Sequence, residues 1–403
     1  MHQPLTGVRV IDLTRALAGP MCTALLADMG AEVLKVEALP RGDGARMFPP
    51  YDGSRSLYFT SLNRGKKSVA LDLRSGAGMS LLRRLIAGAD VLVENFRPGV
   101  LADMGLAPER LRVEHPRLVI AGISGYGPVG PERATPGLDQ IAQGMSGLMS
   151  LTGAGEHTPM RVGVPIIDTV SGIVAAYGIA AALAGRNATG QGSHIQTSLL
   201  ESAISILTFQ AQDYLSTGHV PRPQGNDHPV LAPYGTFATA DHPINIALGS
   251  LSQWTTLCEV LGEPELAGHP DYADPLTRLG NRDRLRADLE RLLAAHPSAH
   301  WIPRVRAAGI PCGPIHALDQ VFTDPQVQAL DMVHHLNGLP LLRGPLWADD
   351  RPVPVHSAPP ELGADTVDTL TALGLSQEEL DDLIERAVIG VPSTEAAREE
   401  GAA

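Results

Sequence analysis

The chain is poor in cysteine, in lysine and in positive charge overall. Its three cysteines in 403 residues, Cys22, Cys258 and Cys312, stand far apart, odd in number and without CxxC spacing. That excludes a disulfide scaffold and a tetrahedral zinc site, and makes a reducing cytoplasm the expected compartment. The only lysines are Lys35, Lys66 and Lys67, so nearly all positive charge is arginine, a forked donor suited to phosphate and carboxylate. Acidic residues outnumber basic ones 44 to 31, for a net charge of −13, which argues against nucleic acid or an anionic membrane as the main partner. Thr169 to Gly185 carries no charge, but at about 17 residues it is shorter than the roughly 20 a membrane span needs, so a buried helix is expected. The start, MHQPLTGVRV, shows neither a basic segment leading into an apolar one nor an arginine-rich amphipathic stretch, so no export signal is expected. There is no internal repeat.

Apolar residues make up 44% and charged residues 19%, the balance of a globular protein and too hydrophobic for a disordered one. The length allows two or three domains, or one large α/β unit with an insertion. Val8 to Leu13 reads as a strand, Gly19-Pro20 opens a helix to about Met29, and Ala31 to Glu37 reads as a second strand, together a βαβ unit. The alternation continues with strands at Ser68 to Leu73, Asp90 to Glu94 and Arg117 to Ser124, and a helix at Gly76 to Ala87. It predicts an α/β fold with a parallel sheet covered by helices on both faces. Helices at Leu138 to Leu148 and Val170 to Leu183 follow, then a strand at Ser193 to Ser198 and a long helix from about Leu199 to Leu215. The first part of the large domain is therefore 1–215. Gly, Pro, His and Arg cluster in 216–229, a linker. Residues 230–325 read as a smaller α+β domain, with a hairpin at Tyr234 to Ala240 and Ile244 to Leu248. Residues 326–360 are Pro-rich and read as a second linker. A closing helix over Gln377 to Ala387, with a capping box from Ser376 and Glu379, falls in 361–390, and 391–403 reads as a disordered tail.

Several chemistries can be tested on motif grounds. The first turn, Arg15-Ala16-Leu17-Ala18-Gly19-Pro20, is not G-x-G-x-x-G, and Pro20 removes an amide that would face a pyrophosphate, so NAD or FAD binding is disfavoured. Gly122-Ile123-Ser124-Gly125-Tyr126-Gly127 lacks the final glycine of a nucleophile elbow, because Tyr126 stands there. It reads as a glycine-rich turn at the carboxyl end of a strand, a place where ligand crevices form. His296 and His300 are spaced i,i+4, but Pro297 interrupts the turn and no carboxylate completes a metal set. Asp168 lies in the apolar stretch Gly163-Val164-Pro165-Ile166-Ile167-Asp168-Thr169, just before the uncharged helix. It reads as an N-cap. The same position would keep it ionised through the helix dipole and make it a nucleophile able to attack a thioester.

The chain resembles the class III coenzyme A transferases, the family that includes formyl-CoA transferase, carnitine CoA transferase and α-methylacyl-CoA racemase. The matching stretches run in order from near residue 5 to past residue 314. They are Gly7 to Leu13, Ala18-Gly19-Pro20, Leu26 to Glu37, Arg41-Gly42-Asp43, Asn63 to Ser68, Glu94-Asn95-Phe96-Arg97-Pro98-Gly99, Ser124 to Gly127, the Asp168 segment, and Ala308 to Pro314. The resemblance implies a large nucleotide-binding-like domain built from the first half and the C-terminal part, a smaller domain from the middle, and a homodimer whose two chains interlock, with the 216–229 and 326–360 stretches as connectors. It also implies the chemistry. Asp168 would attack an acyl-CoA thioester to give a mixed anhydride, and would then carry coenzyme A as an aspartyl thioester to a free carboxylic acid. No permanent cofactor and no metal are implied, since coenzyme A is itself part of the substrate.

By residue-wise transfer, Leu17, Ala18, Leu71 to Arg74, and Asn95, Phe96 and Arg97 would lie along coenzyme A. Arg41 is added on physical grounds as a phosphate contact, although Arg41, Arg74 and Arg97 also read as solvated surface charges. Leu17 replaces the glutamine of the formyl transferase, which puts an oxalate-and-formate site in doubt. Gly249 and Ser250 are the nearest candidates for substrate contact in the small domain. Gly137-Leu138-Asp139 stands where racemases carry Gly-His-Asp, so the histidine base is missing. Asp139 is read either as an acid or orienting group near the thioester or as a cap for the helix that follows it. Arginines suit a second carboxylate, which makes succinyl-CoA and a dicarboxylate acceptor an expected pair. The alternatives are an acyl-CoA racemase or epimerase, or a non-catalytic acyl-CoA-binding protein.

Overall fold

The computed structural model describes residues 3–155 and 158–392; the expected tail from 393 onward lies outside them. The chain divides into two compact units, one of Met1–Leu148, Val162–Gly218 and Leu330–Ala403, the other of Met149–Arg161 and His219–Ala329.

The first unit is built on a seven-stranded sheet. Its strands in chain order are β1 (Arg9–Asp12), β2 (Glu32–Ala38), β3 (Lys66–Leu71), β4 (Val91–Glu94), β5 (Val119–Ser124) and β6 (His194–Ser198), and the chain closes with Ile389–Gly390. The spatial order is Ile389–Gly390, β3, β2, β1, β4, β5, β6. Every pairing is parallel except that of the final strand with β3. The order therefore reverses between β1 and β4, the switch point at which loops leave in opposite directions and open a crevice.

Successive residues of a strand face opposite sides, and the two cores follow that rule. Ile11, Leu34 and Leu92 join Leu81, Leu82 and Leu85 of α2 (Gly76–Ala87) and the late helix residues Leu370 and Leu380. Val10, Val33 and Val93 join Cys22 and Leu26 of α1 (Ala18–Asp28) and Ala175 and Ile179 of the long helix Ile166–Thr189. That helix, labelled α4, follows α3 (Asp139–Met145).

Four local expectations change. Leu138 to Leu148 is not one helix, because Gly147 at φ +90° separates α3 from the short Leu148–Leu151 turn. The expected helix from Leu199 to Leu215 is two, Leu199–Ser205 and Thr208–Thr217, broken where Thr208 takes φ +46°. Residues 326–360 include a helical turn and two small hairpins, Val333–Leu336 with Leu339–Leu342 and Trp347–Ala348 with Arg351–Pro352. The helix α4 runs 24 residues, with Asp168 in its first turn and Arg186 in its last, and is long and apolar enough to cross a membrane, so its length does not distinguish it from a span. In the first unit it packs on α1, where Gly172 lets the two helices approach so closely that a Cβ there would lie 2.6 Å from the Ala18 carbonyl oxygen.

The second unit holds a three-stranded sheet in which Ile244–Ala247 lies between Tyr234–Phe237 and Cys312–Pro314, all antiparallel. Its core gathers Trp254, Leu257, Leu285, Leu289 and Trp301 from surrounding helices.

Candidate active site

A cleft of about 320 Å³ opens at the switch point of the first unit. The loop after β1 contributes Arg15 to Ala18, the loop after β4 contributes Asn95 to Pro98, and Ser124 and Gly125 come from the end of β5. Gly137 and Leu138 precede α3, and Asp168 comes from the first turn of α4. Thus Leu17, Ala18, Asn95, Phe96, Arg97 and Asp168, far apart in sequence, share one wall system.

Glycines set how closely these segments meet. A Cβ on Gly19 would lie 2.2 Å from the Thr14 Cβ, so the loop after β1 can fold back on α1 only at glycine. Gly125 and Gly137 touch backbone to backbone; a Cβ on Gly137 would lie 2.4 Å from the Gly125 Cα. This contact brings Leu138 and Asp139 against the end of β5.

Asp168 is the third residue of α4. The N-cap position is held by Pro165, which makes no side-chain cap, so Asp168 is not the cap that its sequence position suggested. The cap comes from another helix. Asp139 Oδ1 accepts from the backbone N–H of Ile167 at 2.8 Å and of Asp168 at 3.2 Å, and Asp139 Oδ2 accepts from Gln143 Nε2 at 2.6 Å. Gln143 Oε1 in turn accepts from the Val162 N–H at 2.9 Å. Asp139 therefore does for α4 what one of its two readings assigned it for its own helix, and it stands next to the Asp168 carboxyl. Burial, and secondly the charge of Asp139, push the Asp168 carboxyl up to about 7. The expectation of an aspartate held firmly ionised by the helix dipole gives way to one poised near neutrality, because desolvation of a carboxylate outweighs a partial charge of helical amides.

Two more groups belong to this neighbourhood. Glu94, at the end of β4, accepts the Phe96 N–H at 2.7 Å and is pushed up to about 7 by burial. Tyr58 sits edge-on to Phe48 at 5.4 Å, and its hydroxyl is shifted upward by burial and then by Asp168, Asp43 and Asp139.

Arg15 and Arg97 are exposed and have no acidic partner among the described residues; the Arg15 guanidinium lies over the Phe96 ring at 5.1 Å. Arg41 and Arg74 are exposed after β2 and β3 and do not line the cleft, and Leu71 is fully buried in the core. Gly249 and Ser250 lie in the second unit, where Ser250 caps the helix Leu251–Val260 by accepting from the Gln253 N–H at 3.3 Å. Arg15, Ala16, Ser124, Gly125, Gly137 and Leu138 line the cleft without having been singled out as site residues. The strand order that would have pointed to Arg15 becomes visible only once the sheet is assembled.

The family model described as CoA-transferase family III matches residues 5–366. The chain is 38% identical to an acetyl-CoA:oxalate CoA-transferase of Acetobacter aceti, over 85% of this chain and 88% of that one. It is 37% identical to a succinate–glutarate CoA-transferase of Agrobacterium fabrum, over 92% of this chain and 96% of that one. Among solved structures, a CaiB/BaiF family protein from Brucella suis is similar with a TM-score of 0.84 at 37% identity, covering 93% of this chain and all of that one.

Proposed function

We propose, for a chain that belongs to CoA-transferase family III, that Asp168 carries coenzyme A from an acyl-CoA to a free carboxylic acid. The protein is an enzyme, a CoA-transferase. The proposal concerns how it works and on what.

In the first step an ionised Asp168 oxygen attacks the thioester carbonyl, the C–S bond breaks, and coenzyme A leaves as thiolate, giving a mixed anhydride. The thiolate then attacks the aspartyl carbonyl and expels the donor acid as its carboxylate, leaving an aspartyl-CoA thioester. The acceptor carboxylate attacks that thioester to form a second anhydride, and the returning thiolate takes the acceptor acyl group and restores Asp168. Thioester energy is conserved and no water is consumed. The observation that carries this reading is a carboxylate at the start of α4, in the cleft at the switch point. Its pKa near 7 supports both halves of the cycle, since a carboxylate that is costly to keep charged is a reactive nucleophile and a willing acyl acceptor.

Leu17, Ala18, Phe96 and Arg97 would lie along coenzyme A. Arg41 is kept as the phosphate contact and Leu71 and Arg74 as residues along coenzyme A, although none of the three lines the cleft, and Gly249 and Ser250 are kept as candidates for substrate contact. Arginines 15 and 97, free of acidic partners among the described residues, suit a second carboxylate or a phosphate. Relatives named for oxalate and for succinate and glutarate favour a dicarboxylate acceptor, with succinyl-CoA as one donor. A cytoplasmic homodimer with interlocked chains completes the reading.

The test is intact-protein mass spectrometry after incubation with succinyl-CoA, acetyl-CoA and oxalyl-CoA, followed by hydroxylamine, on wild type and Asp168→Ala. A wild-type adduct that becomes a hydroxamate at Asp168 and is missing from the variant supports the covalent cycle. Turnover with no adduct and with full activity in Asp168→Ala would overturn it.

A further inference from the structure

The loop after β1 is held in a way that its position at the mouth of the cleft does not require. Ala16 takes φ +64°, an uncommon conformation for a residue with a side chain, and such strain persists only where the surroundings over-determine it. The surroundings here are side chains. Asp12 Oδ1 accepts from the Thr14 N–H at 2.8 Å, and Lys35 Nζ donates to the Thr14 carbonyl at 2.8 Å. The Asn95 carboxamide does both jobs for Arg15: Oδ1 accepts its N–H and Nδ2 donates to its carbonyl, each at 2.8 Å. Asp43 Oδ1 accepts from the Ala16 N–H at 3.1 Å. From Thr14 to Ala16, every backbone N–H is thus taken by a carboxylate or a carboxamide.

Behind the loop stands a buried row of alternating charge. Lys66 Nζ is 3.2 Å from Asp12 Oδ2, and Lys35 Nζ is 2.9 Å from Asp43 Oδ2, all with side chains 0–1% exposed. Arg46 and Glu37 add a third pair at 2.7 Å, and Glu37 Oε2 accepts the Asp43 N–H at 3.0 Å. Two of the chain's three lysines are used here. Replacing such pairs by apolar residues is often neutral or stabilising, so stability alone does not account for three of them under one loop.

The geometry points to Asp43, with Lys35 behind it, and Asn95 as positioning residues that lock the Arg15–Ala18 loop in its strained form, so that Arg15 and the first turn of α1 meet an acyl-CoA already in place. Asn95, expected along coenzyme A, acts through Arg15 instead. This inference rests on the proposed CoA chemistry, and its test separates the two.

Three variants are compared with wild type: Asp43→Ala, which removes the acceptor for Ala16; Asp43→Asn, which keeps an acceptor but breaks the pair with Lys35; and Asn95→Ala, which is independent of the buried row. Hydrogen exchange of peptides covering 13–18, affinity for free coenzyme A by calorimetry, and melting temperature are measured on each. Asp43→Ala and Asn95→Ala are expected to speed exchange in that segment at least tenfold and to weaken coenzyme A binding about tenfold. Asp43→Asn is expected to melt lower yet keep both within about threefold. Should Asp43→Ala not fold, the other two variants decide. Unchanged exchange and affinity in Asn95→Ala, or a loop as loose in Asp43→Asn as in Asp43→Ala, overturns the inference. If wild type binds no coenzyme A, the CoA reading fails, and the exchange data still judge the clamp.

Discussion

At Asp168, stability and function pull in opposite directions. The folded chain holds its proton up to about pH 7, against an ordinary value of 3.8. Because the native state binds the proton more tightly than the unfolded chain does, the stabilising contribution is present below pH 3.8 and is lost as pH rises from there through 7. Asp168→Asn removes the charge and keeps the shape. It should therefore abolish CoA transfer while raising stability by about 1–3 kcal/mol at pH 8, a figure reduced for solvent screening, with no gain at pH 4. Urea melts at both pH values check this, and an equal gain at the two would remove the carboxylate as its source. The same ionisation should give wild-type kcat/KM an acid limb near pH 7. Glu94 titrates in that range as well, so a second variant assigns the limb. Asp139→Asn keeps an oxygen to cap α4 but removes the repelling charge, and it should move the limb to lower pH if Asp168 sets it; a limb that stays in place assigns it elsewhere.

The elements that position Asp168 were legible where the pattern was local. The expected helix at Gly76–Ala87 matches the structure to the residue, and β1, α1 and β2 match to within two residues, because alternation and the Gly19-Pro20 start are written in adjacent positions. The start of α4 was placed late. Pro165 marks it in the sequence, but its cap comes from Asp139, 29 positions before Asp168, and no local pattern reveals such a cap. The break before Thr208 is likewise silent, since Ile206-Leu207-Thr208 holds neither glycine nor proline. Arg41 suits a phosphate by its chemistry, but it does not line the cleft, since guanidinium suitability says nothing about where a turn points. Two glycines carry the element-scale geometry and can be tested directly. Gly172→Ala places a methyl 2.6 Å from the Ala18 carbonyl oxygen, so α1 and α4 must separate. The overpacking should outweigh the better helix propensity of alanine and cost about 1–2 kcal/mol, read by denaturant melts. Gly137→Ala collides with the Gly125 backbone rather than with a movable side chain. It should lower kcat more than tenfold, a loss that an activity assay at saturating substrate would detect.

The whole molecule has more apolar helix than one chain covers. From Thr169 to Gly185, α4 carries no charge on any side, the pattern of a helix buried all round, yet only its inner face, with Ser171, Gly172, Ala175 and Ile179, is covered. Ile173 is 47% exposed and Tyr177 74%, and Val174, Ala180, Ala181 and Ala184 continue the same bare face. The helix Thr208–Thr217 adds exposed Phe209, Tyr214 and Leu215. A bilayer would suit the composition, but α4 leans on α1 across Gly172, and its first turn carries the cleft carboxylate. In the proposed interlocked dimer, a second copy of the chain would cover this face with its own α4. The net charge of −13 per chain keeps copies apart in general, so association should depend on these apolar faces rather than on opposite charge, and should survive high salt. Light scattering behind a sizing column should give a dimer at both 50 mM and 1 M salt. Tyr177→Asp, placed on the barest part of α4, should shift that mass toward the monomer and expose surface that binds a hydrophobic dye. A wild-type monomer, or a Tyr177→Asp dimer indistinguishable from wild type, would mean that the exposed stripe of α4 is not where the two chains meet.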